Sequence, residues 1–294
     1  MFEEGQYFAP VTANEDGHVS VELGAGHPGF ADSEYRARRN ALARLALDYT
    51  PGQPVPAADY TDAEHEVWRT VCREIAAKHQ RYAVREYREA MAQLALPADR
   101  IPQLEEVSQA LEPLTGFRYV PAAGLVPLAE FYGTLADRRF HSTQYIRHHS
   151  VPLYTPEPDV VHEVLGHAGT LASPRLADLY ELAGRAARRV QTHAALEAVS
   201  KVFWFTLEFG VMREAGELRC YGAGILSSFG EIEEFRSMTI RPLDVAAMAT
   251  QGYDITRYQD VLFEAASLSQ LEDVVGGFWA DCDDESITKL LAAA

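Results

Sequence analysis

The stretch TPEPDVVHEVLGHAG, residues 155–169, sets two imidazoles five residues apart, with a carboxylate beside the first and a glycine before the second. Imidazole nitrogens and carboxylates are the donors of zinc and first-row transition-metal sites, and the pattern lies one residue from the H-E-x-x-H of zinc proteases. In that motif the histidines stand at i and i+4, on one helical face. His162 and His167 stand at i and i+5, about 140° apart on a helix of 3.6 residues per turn. A regular helix cannot turn both onto one ion. Gly166 offers a way round, because a glycine there ends or distorts the helix and lets His167 swing back toward His162. The spacing argues against a zinc protease and leaves a metal site open.

A third donor should stand out as a charge in apolar surroundings, since an isolated buried carboxylate is costly unless it is neutralised, paired or bound to metal. Glu208 in VFWFTLEFGV fits, flanked by Phe203, Trp204, Phe205, Leu207 and Phe209. Two neutral imidazoles and one carboxylate form the facial triad of non-haem Fe(II) oxygenases, which keeps positions open for oxygen and water. Taken singly, each residue reads as well as a structural group, Glu208 in an ion pair and each histidine merely hydrogen-bonded.

These donors need elements to carry them. Residues 1 to about 30 mix Gly, Pro and Asp with short apolar words such as HVSVEL and predict an irregular arm. DSEYRARRNALARLALDY predicts a helix behind an Asp or Ser cap, and TDAEHEVWRTVCREIAAKHQRYAVREYREAMAQL predicts two consecutive helices capped at Thr61 or Asp62. IPQLEEVSQALEPLTG reads as a helix opened by Pro102 and closed by Gly116. An irregular stretch then leads to a helix near 128–136. Pro152, Pro156 and Pro158 keep the next segment in loop or strand, and the helix of the two histidines follows from about Asp159. SPRLADLYELAGRAARRV predicts another helix, GELRCYGAGILSSFGEIEEF a short strand, a glycine turn and a helix start. Helices around 243–249 and 262–275 finish the chain. The fold class is mainly α with a few short β-strands, in a single domain.

The 294 residues carry 26 Lys+Arg against 43 Asp+Glu, a net charge of −17, which repels phosphate backbones and anionic lipid surfaces. Nucleic acid and membrane are therefore not expected as partners. Cys72, Cys220 and Cys282 are odd in number and far apart, so no disulfide framework or zinc finger is expected. MFEEGQYFAP lacks the basic and apolar regions of a signal peptide, and no stretch has the roughly 18 apolar residues of a membrane span. A cytoplasmic protein is expected.

TPEPDVVHEVLGH, WFTLEFG and YGAGILSSFGE together resemble the catalytic domain of the pterin-dependent aromatic amino acid hydroxylases. The resemblance begins near HPGF at His27, runs through YRARR, PQLEEVSQ, TGFR and TQYIRH, and fades after about residue 265. It implies a catalytic domain over 27–294 behind an irregular arm at 1–26. It also implies that His162, His167 and Glu208 hold Fe(II). Arg147 then matches the group that grips the substrate carboxylate, a task suited to a planar guanidinium. Thr155, Ser227 and Gly224 match further groups around the amino acid, while Pro158, Trp204 and Phe209 match the wall around its ring. For the tetrahydropterin, such as tetrahydrobiopterin, Phe131 matches the stacking aromatic, Gly124, Leu125 and Val126 the edge, and Glu163 and Ser200 further contacts.

The implied reaction places one oxygen atom of O2 on an aromatic amino acid, with the tetrahydropterin as reductant. Hydroxylation of phenylalanine to tyrosine is the leading expectation. Hydroxylation of phenylalanine at the meta carbon, a tryptophan or tyrosine hydroxylase of specialised metabolism, and a zinc hydrolase are the alternatives. Phe203 stands where many family members have tyrosine, and Val126 where leucine is usual, so both depart from the pattern. Too few residues precede His27 for the regulatory domain of animal members, and DCDDESITKLLAAA lacks a long heptad helix, so a monomer is expected.

Overall fold

The computed structural model describes residues 10–13, 19–124, 126–255 and 257–294. Its first feature corrects the expectation of an irregular arm. β1 (Val11–Ala13) and β2 (Val19–Val21) pair antiparallel, with Val19 and Val21 buried. The Val21 N–H donates to Asn40 Oδ1 at 2.8 Å and so ties the ribbon to α1 (Ser33–Leu47). Three-residue strands are too short for alternation to declare itself in the sequence.

The next helices start and stop where their capping chemistry places them. The Asp32 carboxylate caps α1, and Thr61 and Glu64 form a capping box for α2 (Asp62–Tyr82). After a break at Ala83 and Val84, α3 (Arg85–Leu94) continues the buried stripe of Trp68, Val71, Ile75 and Tyr87. α4 (Leu104–Thr115) is capped by Gln103, one residue after Pro102, and closed by Gly116 at φ 77°. The segment after it, expected to be irregular, contains β3 (Arg118–Pro121), which pairs parallel with β4 (Arg139–Ser142) around α5 (Leu128–Leu135).

The helix of the two histidines begins at 160 and does not end at Gly166. His162–Ala168 is π-helical, and α6 (Gly169–Leu171) carries the helix on. A π-helix bonds each N–H to the carbonyl five residues back, so a residue and its fifth successor share a face. The i, i+5 spacing that a regular helix forbids is thus the spacing this one requires. Buried tyrosines support the widened turn: Tyr119 donates to the Glu163 carbonyl and Tyr87 to that of Leu165, each at 2.5 Å.

α7 (Pro174–Arg189) and α8 (His193–Phe203) follow, and α8 runs into a second π-helical segment, Trp204–Glu208. Here the Phe209 N–H reaches back five residues to the Trp204 carbonyl at 2.9 Å. β5 (Val211–Glu214) and β6 (Glu217–Cys220) form a hairpin, after which come α9 (Ala223–Ser227) and α10 (Glu231–Glu234). β7 (Thr239–Pro242), α11 (Val245–Thr250) and β8 (Val261–Ala265) complete a four-stranded sheet of order β6-β5-β8-β7. β8 overturns the expectation of helix from Leu262. Leu262, Phe263 and Ala265 are an apolar run buried between two parallel neighbours, and periodicity alone does not tell such a run from a buried helix. Short helical pieces close the chain, ending with Asp284–Ala293. Among the described residues, no helix is long and apolar enough to cross a membrane.

α9 packs directly on the first π-helical segment. A Cβ on Gly166 would lie 2.7 Å from the Ala223 carbonyl oxygen and 3.1 Å from the Ala223 Cβ, so the glycine is there for close approach. Gly166→Ala is expected to cost about 1–3 kcal/mol through overpacking, read as a lowered midpoint in denaturant unfolding.

Candidate metal and substrate site

The two π-helical segments bring three donors to one point. His162 Nε2 lies 3.4 Å from Glu208 Oε1, His167 Nε2 lies 3.2 Å from Glu208 Oε2, and the two Nε2 atoms are 3.0 Å apart. Burial lowers the His162 imidazole to about 4 and that of His167 to about 3, so both rings are neutral at pH 7. Burial also raises the Glu208 carboxyl above its ordinary value, against the pull of His162.

Hydroxyl groups behind the rings decide where the imidazole protons sit. The Ser227 Oγ lies 2.8 Å from His162 Nδ1 and donates its own proton to the Gly224 carbonyl at 3.3 Å, so it accepts from Nδ1–H. Thr170 Oγ1 donates to the His167 carbonyl, accepts from the Tyr180 hydroxyl at 2.9 Å, and so leaves Tyr180 Oη to accept from His167 Nδ1–H, also at 2.9 Å. Both Nε2 atoms then carry bare lone pairs that face each other and a carboxylate. A divalent cation would supply the positive charge this arrangement lacks, and imidazole with carboxylate suits iron or zinc.

Glu163 also falls within 4.8 Å of the ligating nitrogens of both histidines. Its Oε1, however, accepts from the Thr143 N–H at 3.4 Å and the Thr143 hydroxyl at 3.3 Å, whereas the two Glu208 oxygens each face one imidazole. Burial pushes the Glu163 carboxyl well up, against the hydrogen bonds from Thr143. It stands beside the three donors.

A cavity of about 300 Å³ opens onto the triad. Of the residues singled out in the sequence, Arg147, Thr155, Pro158, Trp204, Phe209, Gly224, Ser227, Gly124, Val126, Phe131 and Glu163 line it with the three donors. Ser200 does not: it is buried behind Tyr132, whose hydroxyl donates to it at 3.3 Å. Phe203 is fully buried as well and does not line the cavity; it packs edge to face on Tyr180 at a ring distance of 5.3 Å and on the lining Phe131 at 6.4 Å. Leu125 lies outside the described residues.

Arg147 is clamped before any ligand reaches it. Its Nε and Nη2 donate to Asp159 at 2.9 and 2.8 Å, its backbone N–H does so at 2.7 Å, and the same carboxylate accepts the His162 N–H at 3.3 Å. Asp159 therefore joins the guanidinium to the start of the histidine helix. Gly224 allows the closest approach to the triad, since a Cβ there would lie 2.6 Å from Phe209 Cζ and 3.0 Å from Glu208 Oε1.

Several lining or supporting groups escaped the sequence reading. Tyr253 stacks on Trp204 at 4.2 Å and 8°, and Gln259 Oε1 accepts the Trp204 indole N–H at 3.0 Å. The Gln259 N–H in turn donates to Glu231 at 2.9 Å. Spacing carries no signal for such pairs, which are distant in sequence; Glu231, a charge in the quoted YGAGILSSFGE, was the one visible clue.

A family model described as biopterin-dependent aromatic amino acid hydroxylase matches residues 12–285. The chain belongs to this family, and the match reaches further at both ends than the motifs alone suggested. It is 51% identical to a phenylalanine 3-hydroxylase of Streptomyces coeruleorubidus over 265 residues, 90% of this chain and 95% of that protein. It is 41% identical to a phenylalanine-4-hydroxylase of Rattus norvegicus over 91% of this chain and 60% of that protein. The crystal structure of Chromobacterium violaceum phenylalanine hydroxylase with bound iron(III) and oxidised cofactor 7,8-dihydrobiopterin superposes with a TM-score of 0.76, at 29% identity, over 88% of this chain and 92% of that one.

Burial raises the Glu231 carboxyl from 4.5 to about 7, so the folded state holds a proton that the unfolded chain releases. Stability from this group is full at acid pH and falls as pH rises from about 4.5 to about 7. Glu231→Gln keeps an acceptor for Gln259 and removes the penalty. Its stability advantage over the parent should grow across that window to about 3 kcal/mol and then level off, as measured by denaturant unfolding at a series of pH values.

Proposed function

We propose that this chain hydroxylates the ring of L-phenylalanine at the meta carbon, using O2 and a tetrahydropterin at an Fe(II) held by His162, His167 and Glu208. The observation that carries the metal assignment is the convergence of three donors at 3.0–3.4 Å with the imidazole protons committed elsewhere. The meta carbon is supported by the 51% identity across 95% of a phenylalanine 3-hydroxylase, against 41% across 60% of the rat 4-hydroxylase. Tyrosine, the para product expected from the sequence, is the second reading, supported by the several 4-hydroxylases near 40% identity.

Bound iron and tetrahydropterin supply the electrons and the oxygen activation that side chains lack. The chain's own work is positioning. Trp204 and Phe209, ring centroids 4.6 Å apart, offer flat apolar faces to the substrate ring, with Pro158 beside them. Arg147, Thr155 and Ser227 hold the amino acid end, and Gly224 keeps the space between ring and donors open. Phe131 would stack on the pterin, whose edge would meet Gly124 and Val126, with Glu163 beside it. Filling of the cavity by both substrates would keep water from the reacting atoms.

The test is anaerobic loading with Fe(II) and tetrahydropterin, addition of oxygen with phenylalanine, tyrosine or tryptophan, and chromatographic separation of the ortho, meta and para products. meta-Tyrosine should predominate from phenylalanine; a para product selects the second reading, and an unreacted ring with the pterin still reduced overturns both. Glu208→Ala should abolish iron-dependent turnover. Phe203→Tyr should shift the product ratio while leaving the KM for phenylalanine nearly unchanged, because residue 203 does not itself line the cavity and acts on it through Tyr180 and Phe131.

A further inference from the structure

We infer that Tyr180 and Thr170 form a proton relay that fixes the tautomer of His167 and so makes its Nε2 available to a metal ion. The inference rests on the reading of His167 as a metal ligand and adds to it two positioning residues that no motif marks. The relay is a closed loop. It starts at the His167 carbonyl, which accepts the Thr170 hydroxyl proton at 2.9 Å. With that proton committed, Thr170 Oγ1 is an acceptor to Tyr180, and the single Tyr180 proton is spent on it at 2.9 Å. Tyr180 Oη is left as an acceptor, and at 2.9 Å from His167 Nδ1 it requires Nδ1 to carry the ring proton. A backbone carbonyl thus dictates, through two hydroxyls, which nitrogen of its own side chain is bare.

All three members are buried, Tyr180 fully, Thr170 at 1% and His167 at 3% exposure, so water does not substitute for a missing partner. The hydroxyl also bears on the Phe203 departure. Tyr180 stands edge to face on Phe203, and its own hydroxyl reaches His167, so a donor–acceptor group is present behind this imidazole although residue 203 lacks one. Groups of this kind behind a ligating histidine fix its orientation and basicity, and their loss typically weakens metal affinity about 10–100-fold.

The relay predicts an inversion that packing does not. Thr170→Val keeps the shape and removes the hydroxyl, which frees the Tyr180 proton to point at Nδ1 and favours the wrong tautomer. Thr170→Ser loses a methyl and keeps the relay. Co(II) affinity of the parent, Thr170→Val, Thr170→Ser and Tyr180→Phe, titrated against a competing chelator, should fall about 10–100-fold for the valine and phenylalanine variants and stay within about twofold for the serine variant. Thermal unfolding of the chelator-treated proteins checks that each is folded. Retained affinity with valine and lost affinity with serine would mean packing and overturn the relay, as would four equal affinities. If the parent binds no stoichiometric Co(II), or Glu208→Ala binds it as tightly, the metal centre itself is refuted and the relay falls with it.

Discussion

The widened hydrogen-bond ladder of two helical turns is the constraint on which the candidate site depends. A regular α-helix would separate His162 from His167 by about 140°, and only the i+5 repeat brings their rings to one side. The third donor depends on the same geometry, since Glu208 closes a π-helical turn in which Phe209 bonds to Trp204. Such turns are intrinsically unfavourable beside an α-helix, so the surroundings must stabilise them. Tyr87 and Tyr119 do so at the first, and at the second the Thr206 hydroxyl donates back to the Val202 carbonyl at 2.6 Å.

Electrostatics follows from that geometry. The donors are so deeply buried that each alone would resist charge, and the structure answers by committing both imidazole protons to hydroxyls on the far sides of the rings. Asp159 performs a parallel service for Arg147 and at the same time accepts the His162 N–H in the first turn of the histidine helix. Arg147 and the two histidine donors are thereby joined within one short stretch of chain, between residues 147 and 167, while Glu208 arrives from the second π-helical segment.

Side-chain type made the three donors legible before the fold was known, because a carboxylate among phenylalanines and two spaced imidazoles are chemically conspicuous. Helix caps were legible for the same local reason: Asp32, Thr61 and Gly116 all act where they were expected. What could not be read depends on contacts between distant segments. Gly166 reads in the sequence as ending or distorting the helix; the helix widens there and runs on, and the glycine also serves the approach of Ala223. Tyr180 and Thr170 belong to no motif, the clamp of Asp159 on Arg147 has no mark in spacing, and the strand at Leu262 reads as a helix, since burial on both faces erases the alternation that marks a strand.

Trp204, the flat wall assigned to the substrate ring, is braced from behind by Tyr253 and Gln259, some fifty residues later in the chain. Neither brace bonds to the three donors. The breadth of the aromatic slot and the affinity of the metal centre are consequently adjustable along separate stretches of sequence. A substitution near residue 253 therefore reaches the indole of Trp204 from behind, without a bond to His162, His167 or Glu208 being broken.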